Sequence, residues 1–241
     1  MAKNKITDNS WVSLSDMMTG LMVVFLFISV SYIVEVQKQQ KKRDTIFEEF
    51  KDTKEKLYAE LDSAFKDDFK QWQVVLDTDL SIKFTNPEVL FASGKADISL
   101  KFDTILQQFL PRYFDVLLQK KYEDKIAEIR IEGHTDIVPA PQFDSDPYIG
   151  NIKLSQLRSA EVLKYFRNMP YYQDLPDTTE QRLQFWLTAN GLSYGRTLDS
   201  DKQLTALSGQ PINNANSRRV EFRIITTSEN LVEQVLKEMA E

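Results

Sequence analysis

At 241 residues the chain has room for one or two domains. Its 42% hydrophobic and 27% charged residues are globular proportions, and a net charge of −6 with a pI near 5.1 leaves nothing global to attract a polyanion, which sets nucleic-acid partners aside. With no cysteine and one histidine, His134, thiolate metal sites, disulfides, thiol catalysis and multi-imidazole metal cages are excluded, and no glycine-rich phosphate-binding run is present.

The first predicted element is a membrane helix. Met17 to Val34 is a run of 18 residues without a charge, and a spanning helix needs about 20 apolar residues. Extended back to Trp11, the segment 11–34 is roughly 36 Å long at 1.5 Å per residue, enough for a hydrocarbon core of about 30 Å. Trp11 and Tyr32 then stand near the two interfaces, where amphipathic aromatics collect. A cleaved signal peptide would have a shorter apolar stretch and a small-residue cleavage site, but here the run passes directly into Glu35-Val36-Gln37-Lys38. Residues 1–10 form a short tail. Lys38, Lys41, Lys42 and Arg43 follow the span, so a literal positive-inside count would put the N-terminus outside.

Asp16 lies at the edge of this segment. A carboxylate inside a membrane helix costs about 2.5–3.5 kcal/mol and by default faces a partner or a cavity. The alternative is an N-cap, with Ser15-Asp16 opening a helix that starts at Met17. Position alone leaves both open.

Between Gly20 and Pro87 there is no glycine or proline, which predicts one helix continuing past the membrane as a linker over 35–72, about 57 Å long. Apolar residues recur at Ile46, Phe50, Leu57, Leu61, Phe65, Phe69 and Trp72 within a mostly charged background. That helical stripe predicts self-association into a short coiled coil, with a lone helix lying on the following domain as the alternative. From Gln73 the pattern changes. Short strands are expected at Val74–Leu76 and Leu80–Phe84, then a helix from Ser99 to Lys120 that Pro111 should interrupt or kink. A strand follows over Ile126–Ile131, a helix over Asn151–Arg167, and a loop over Met169–Thr179; Gln181–Ala189 fits either a strand or a helix. A strand over Arg219–Ile225 and a helix over Glu229–Met239 close the chain. Interleaved strands and helices of this kind make an α+β domain over 73–241.

Gly133-His134-Thr135-Asp136, Asn151-x-x-Leu154-Ser155-x-x-Arg158-Ser159-Ala160, and Asn216-Ser217-Arg218-Arg219-Val220-Glu221 occur in the order of the OmpA-like peptidoglycan-binding domain, which this region resembles. The segment Leu90-Phe91-Ala92-Ser93-Gly94-Lys95-Ala96 is similar to that family's early F-x-x-G-x-A run. The resemblance implies an α/β sandwich that binds the diaminopimelate of a peptidoglycan stem peptide. It implies Arg158 as the carboxylate clamp, Asp136 on the amine side, Asn151 as a contact and N-cap, Leu154 beneath the ligand, and amide donors at the start of the Asn151 helix. His134 reads as a structural residue of the strand end. Arg218 and Arg219 read as holders of the sheet edge, since alternation sends strand neighbours to opposite faces. Two departures from the family pattern stand out: a long loop, Ile137 to Gly150, and Ser217 where an asparagine usually precedes the arginines.

Trp11-x4-Asp16-Met17-Met18-Thr19-Gly20-Leu21-Met22 resembles the membrane segment of stator B subunits of the MotB type. Gly20-Leu21-Met22 after Asp-Met-Met-Thr looks more like the B subunit of the Zorya anti-phage system than like flagellar MotB. This second resemblance implies that Asp16 carries the translocated ion, a proton rather than sodium. Ser15 and Thr19 are nearby hydroxyls that could relay or coordinate the ion, and ordinary helix packing is the preferred reading for both. The same resemblance implies a polytopic partner of the MotA or ZorA type forming a ring, a homodimer, and peptidoglycan as the wall ligand. It also implies a single-pass inner-membrane location with the N-terminus cytoplasmic and the C-terminal domain periplasmic, which overrides the charge count. No resident cofactor and no enzymatic constellation are expected. The rival readings are a flagellar stator subunit, a static OmpA-like wall tether, and a TolR-like transducer, which would lack the OmpA-like motifs.

Overall fold

The computed structural model describes residues 10–85, 90–92 and 94–240, with the side chains of 10, 12, 13 and 238–240 excepted. The tail before residue 10 and Ser93 of the F-x-x-G-x-A run lie outside the described residues. The chain divides into two compact units, one ending at Glu48 and one running from Glu49.

The first unit is helical. Helix α1 spans Ser10–Phe65. Among the described residues it is the one helix long and apolar enough to cross a membrane, with a mean hydropathy of 2.3 in its apolar window and none of that window buried. Asp16 falls in its second turn, because the helix has already begun at Ser10. The N-cap alternative is thereby corrected: a cap residue must precede the helix, and this one is inside it. Thr19 Oγ1 donates to the Ser15 carbonyl at 2.8 Å, the ordinary one-turn back-bond of a helical threonine.

The second unit takes in the last turns of α1. Leu57, Leu61 and Phe65 recur every four residues and are fully buried in the core of this unit. Phe65 lies 5.1 Å from Phe109 and 6.2 Å from Trp72, ring centre to ring centre. The Arg112 guanidinium covers Phe65 at 4.7 Å and pairs with Asp68 at 2.8 Å. A short helix α2, Phe69–Trp72, leads into the sheet.

The sheet has five strands: β1 Val74–Leu76, β2 Ser81–Phe84, β3 Ile126–His134, β4 Leu187–Gly191 and β5 Arg219–Thr226. Their spatial order is β1-β2-β5-β3-β4, antiparallel throughout except for the parallel β3–β4 pair. One face carries Ile82, Phe84, Ile129, Ile131, Phe222 and Ile224, all buried, and α3, Leu100–Leu117, packs into it. Phe109 reaches Phe222 at 5.1 Å, and Phe114 stacks on Phe166 at 4.1 Å.

Of the two outcomes expected at Pro111, an interruption is ruled out, since α3 runs on through it. A proline inside a helix costs about 3 kcal/mol, and burial of Phe109, Leu110, Tyr113 and Phe114 around it offsets that cost. Helix α4 is Pro147–Arg167, one turn longer at its start than expected, because Asp146 rather than Asn151 caps it. The expected loop over Met169–Thr179 contains α5, Pro170–Gln173, and the first residues of α6, Asp177–Trp186. Its prolines sit where a helix tolerates a missing N–H, at the first position of α5 and immediately before α6. The ambiguous stretch splits between the end of α6 and β4. Two single-turn helices, α7 Thr205–Ser208 and α8 Asn214–Ser217, precede β5, and α9, Thr227–Ala240, follows it.

Candidate functional site

The site begins with two glycines. Gly133 and Gly191 are register partners on β3 and β4. A Cβ on Gly133 would sit 2.2 Å from the Ser155 carbonyl oxygen, and one on Gly191 would sit 2.4 Å from the Gln156 nitrogen. Their missing side chains let α4 lie directly on the strand ends. Gln156 then straps the contact, accepting from Gly191 N at 2.8 Å and donating to the Ala189 carbonyl at 2.9 Å. With α4 fixed in this way, Asn151, Leu154 and Arg158, at helical spacing, share one face.

That face borders a cavity of about 340 Å³. Asp136, Asn151, Leu154 and Arg158, the four ligand-contact residues expected from the sequence, all line it, together with Phe91 and Arg218. The Arg158 guanidinium lies 5.1 Å above the Phe91 ring, and Nε donates to the Lys95 carbonyl at 2.9 Å. Among the described residues this is its one hydrogen bond, so the Nη pair remains available for a carboxylate. Burial lowers the Arg158 pKa to about 10; Asp136 opposes the shift and Arg218 adds to it. The group stays cationic at neutral pH. Asp136 accepts from Val138 N at 3.1 Å through Oδ1, and its Oδ2 is ion-paired with Arg218 Nη1. Leu154 is buried in the cavity wall.

Asn151 does not have the capping role. Its Nδ2 donates to the Val138 carbonyl at 3.0 Å and the Pro147 carbonyl at 3.1 Å, tying the long loop to α4. The amides expected as ligand donors at the helix start are also taken, since Tyr148 N and Ile149 N donate to the Asp146 carboxylate at 2.8 and 3.1 Å. The same loop supplies Val138, Pro139 and Ala140 to the cavity wall. Gln142 Nε2 donates to the Gly94 carbonyl at 3.0 Å and joins the loop to the opposite rim.

On the other face of the sheet His134 is almost fully buried, 3.7 Å from Glu132 and 3.6 Å from Glu221. Burial, with Arg219 adding to it, lowers its pKa to about 3, so the imidazole is neutral. Among the described residues neither ring nitrogen has a hydrogen-bond partner. Donor atoms of Glu132, His134 and Glu221 lie within 4.8 Å of one another, a spacing open to a cation. Arg219 pairs with Glu221, however, and Arg196 stands 3.6 Å from Glu132. The protein's own guanidinium groups therefore already balance both carboxylates.

No protein-family profile matches the chain. It is 33% identical over 237 residues to the Zorya protein ZorB of Escherichia coli, spanning 97% of this chain and 95% of that protein. The chain belongs to the ZorB family. Among solved structures, this ZorB-family chain is similar to a MotB-like protein from Desulfovibrio vulgaris, with a TM-score of 0.48 and 24% identity, covering 73% of this chain and 95% of that one. It is also similar to the cell wall anchor of the T6SS from Pseudomonas aeruginosa, with a TM-score of 0.44 and 24% identity over 69% and 96% of the two chains. The periplasmic domain of Helicobacter pylori MotB gives a TM-score of 0.39 at 18% identity, covering 66% and 85%.

One residue of this ZorB-family site, Arg218, is not assigned to it by the sequence. Arg218 was placed at the sheet edge with Arg219, but β5 begins only at Arg219, so strand alternation does not govern Arg218. It sits at the end of α8 and points its guanidinium at Asp136, while Arg219 turns to Glu221, two residues along the same strand face. The long loop over 137–150 bears on the pocket rim already as a departure from the family pattern, and the structure adds its anchoring to α4 through Asn151.

Proposed function

We propose that the chain is the wall-anchored, ion-carrying subunit of an inner-membrane motor that serves Zorya anti-phage defence. The observation that carries this reading is the meeting of Asp136, Asn151, Leu154 and Arg158 in one cavity, in a chain that also holds Asp16 inside an exposed apolar helix. A stem-peptide diaminopimelate offers carboxylates and an ammonium group. The Arg158 fork receives a carboxylate bidentately, Asp136 draws the ammonium, and Leu154 supports the aliphatic chain between them.

In the membrane, Asp16 is neutral when protonated and costly when charged. A proton passing down its gradient cycles these states, and each favours a different packing against the surrounding subunit. One helix cannot enclose an ion path, so a polytopic partner ring and a second copy of this chain complete it. The cavity domain lies on the periplasmic side, where the wall is, and the N-terminus lies in the cytoplasm.

The test is phage plaquing on cells that carry the gene with its native neighbours. Wild type protects, and Asp16→Asn at matched protein level loses at least a tenfold reduction in plaques. Arg158→Ala also loses protection and no longer co-sediments with purified peptidoglycan. Full protection by Asp16→Asn would turn the reading into that of a static tether.

A further inference from the structure

The basic run that follows the apolar segment has no part in the function proposed above. Between Gln37 and Arg43 there are four cations, Lys38, Lys41, Lys42 and Arg43, and no acid. Over residues 44–55 the sign reverses, with five acids against two lysines. Helix α1 is unbroken through both stretches. Lys38, Lys41 and Lys42, spaced i, i+3, i+4, therefore share one helix face within an arc of about 100°, and Arg43 stands beside it. All three lysines are exposed. Further along the helix Lys51 pairs with Glu55 and Lys56 with Asp52, yet among the described residues none of the four cations has an ion-pair partner.

Their height along the helix matters as much as their face. Lys38 is four residues beyond Val34, the last residue of the apolar run, and so about 6 Å past it at 1.5 Å per residue. The polar layer on each side of a bilayer is about 5–7 Å thick, so Lys38 lies among the headgroups. Lys41 and Lys42 stand about 10–12 Å past Val34. Every helical Cα–Cβ bond tilts toward the N-terminus, which here is toward the bilayer, and the lysine stem carries its ammonium further the same way. Three ammonium groups thus converge on one sector of the headgroup layer. On the outer side, where the proposed orientation puts them, such a cluster is unfavourable for insertion, because loop cations favour the cytoplasmic side. An anionic lipid surface supplies the compensation, about fivefold in binding for each basic residue close to it. An acidic protein face would not require the cations to stand at headgroup height.

We infer that Lys38, Lys41 and Lys42, with Arg43 beside them, form a docking surface for the phosphates of anionic phospholipid. This rests on the membrane-spanning reading of α1 and holds whichever side the N-terminus lies on. The contact also has a consequence for Asp16, which is 22 residues before Lys38 and so about 33 Å away along the helix. The hydrocarbon core is about 30 Å thick. With the lysines held at one layer of phosphates, Asp16 stands just inside the opposite edge of the hydrocarbon. A slide of one helical turn, about 5.4 Å, would carry it into the headgroups or deeper into the core. Bound lipid therefore sets the depth of the carboxylate.

The experiment is electron paramagnetic resonance on the full chain reconstituted in phosphatidylcholine bilayers, with a trace of phosphatidylglycerol or phosphatidylcholine spin-labelled on the acyl chain. The two probes differ only in the headgroup. Wild type is expected to hold the phosphatidylglycerol probe at least threefold more strongly at about 10 mM salt. Most of that preference disappears at about 1 M salt, where the screening length is about 3 Å. The variant with Lys38→Gln, Lys41→Gln, Lys42→Gln and Arg43→Gln brings the preference to near unity, and arginine in place of the three lysines keeps it. No preference in wild type, a preference that survives high salt, or one that the glutamine variant retains overturns the lipid surface. A wild type without preference, combined with loss of co-purification of a neighbouring membrane subunit in the glutamine variant, assigns the cations to an acidic protein face instead. If neither probe shows an immobilised component and alkaline carbonate strips the chain from the bilayer, the membrane-spanning reading itself falls. An immobilised component of equal size for both probes leaves the span standing and removes the lipid surface alone.

Discussion

His134 shows how far burial can move a single group. Its folded-state pKa is held near 3 against an ordinary value of 6.5. Between those values the unfolded chain binds a proton that the folded chain refuses, so stability rises with pH across this window. The contribution is complete above pH 6.5 and is lost as pH falls toward 3, at up to about 1.4 kcal/mol per pH unit. Denaturant melts across this window should therefore show wild type losing more stability on acidification than His134→Gln; equal losses would mean that the imidazole is reachable by protons in the fold. Gly133 makes a steric point at the same scale. Gly133→Ala places a methyl 2.2 Å from the Ser155 carbonyl, and the strand or α4 must shift. The expected cost is about 3 kcal/mol, read as a lower denaturant midpoint at constant m-value, with weaker stem-peptide binding because Arg158 travels with α4. At this scale the motif residues were legible in the sequence as types in order. The Asp136–Arg218 pair was not, because its members are 82 positions apart and meet only through the β3–β5 register.

Among the elements, α1 divides its labour. Its apolar run has no protein cover, while Leu57, Leu61 and Phe65 belong to the core of the second unit. The sequence announced a helix with a stripe, but periodicity cannot say what covers a stripe, since a partner helix and a sheet layer ask for the same residues. Leu61→Ala should cost about 2–5 kcal/mol in the thermal or denaturant unfolding of this unit. A soluble fragment beginning at Glu49 should correspondingly melt well above one beginning at Gln73, which lacks all three side chains. Equal stability of the two fragments would show that the stripe contributes nothing to the domain. Helix α4 teaches the same lesson about boundaries. Pro147 and Asp146 together form a start signal, yet apolar periodicity places the start at Asn151, because a capping residue carries no periodic signal.

For the whole molecule, the two units carry separable chemistry. Asp16 sits in the unit ending at Glu48, and the cavity sits in the unit that follows. Asp16→Asn should leave stem-peptide affinity within twofold of wild type while protection is lost, and Arg158→Ala should lose wall binding without altering detergent-solubilised assembly, as read by size-exclusion chromatography. The sequence by itself determined the class of this protein: an uncharged run long enough for a bilayer, a carboxylate at its edge, and spaced motifs whose order is set by covalent connectivity. Only the tertiary structure decided which charges meet. Arg218 pairs with Asp136 rather than with a strand neighbour, the long loop becomes a cavity wall through Asn151 and Gln142, and His134 is neutral between two carboxylates. Those outcomes depend on distances through space and on burial, because desolvation and ion pairing act between groups that chain order leaves far apart.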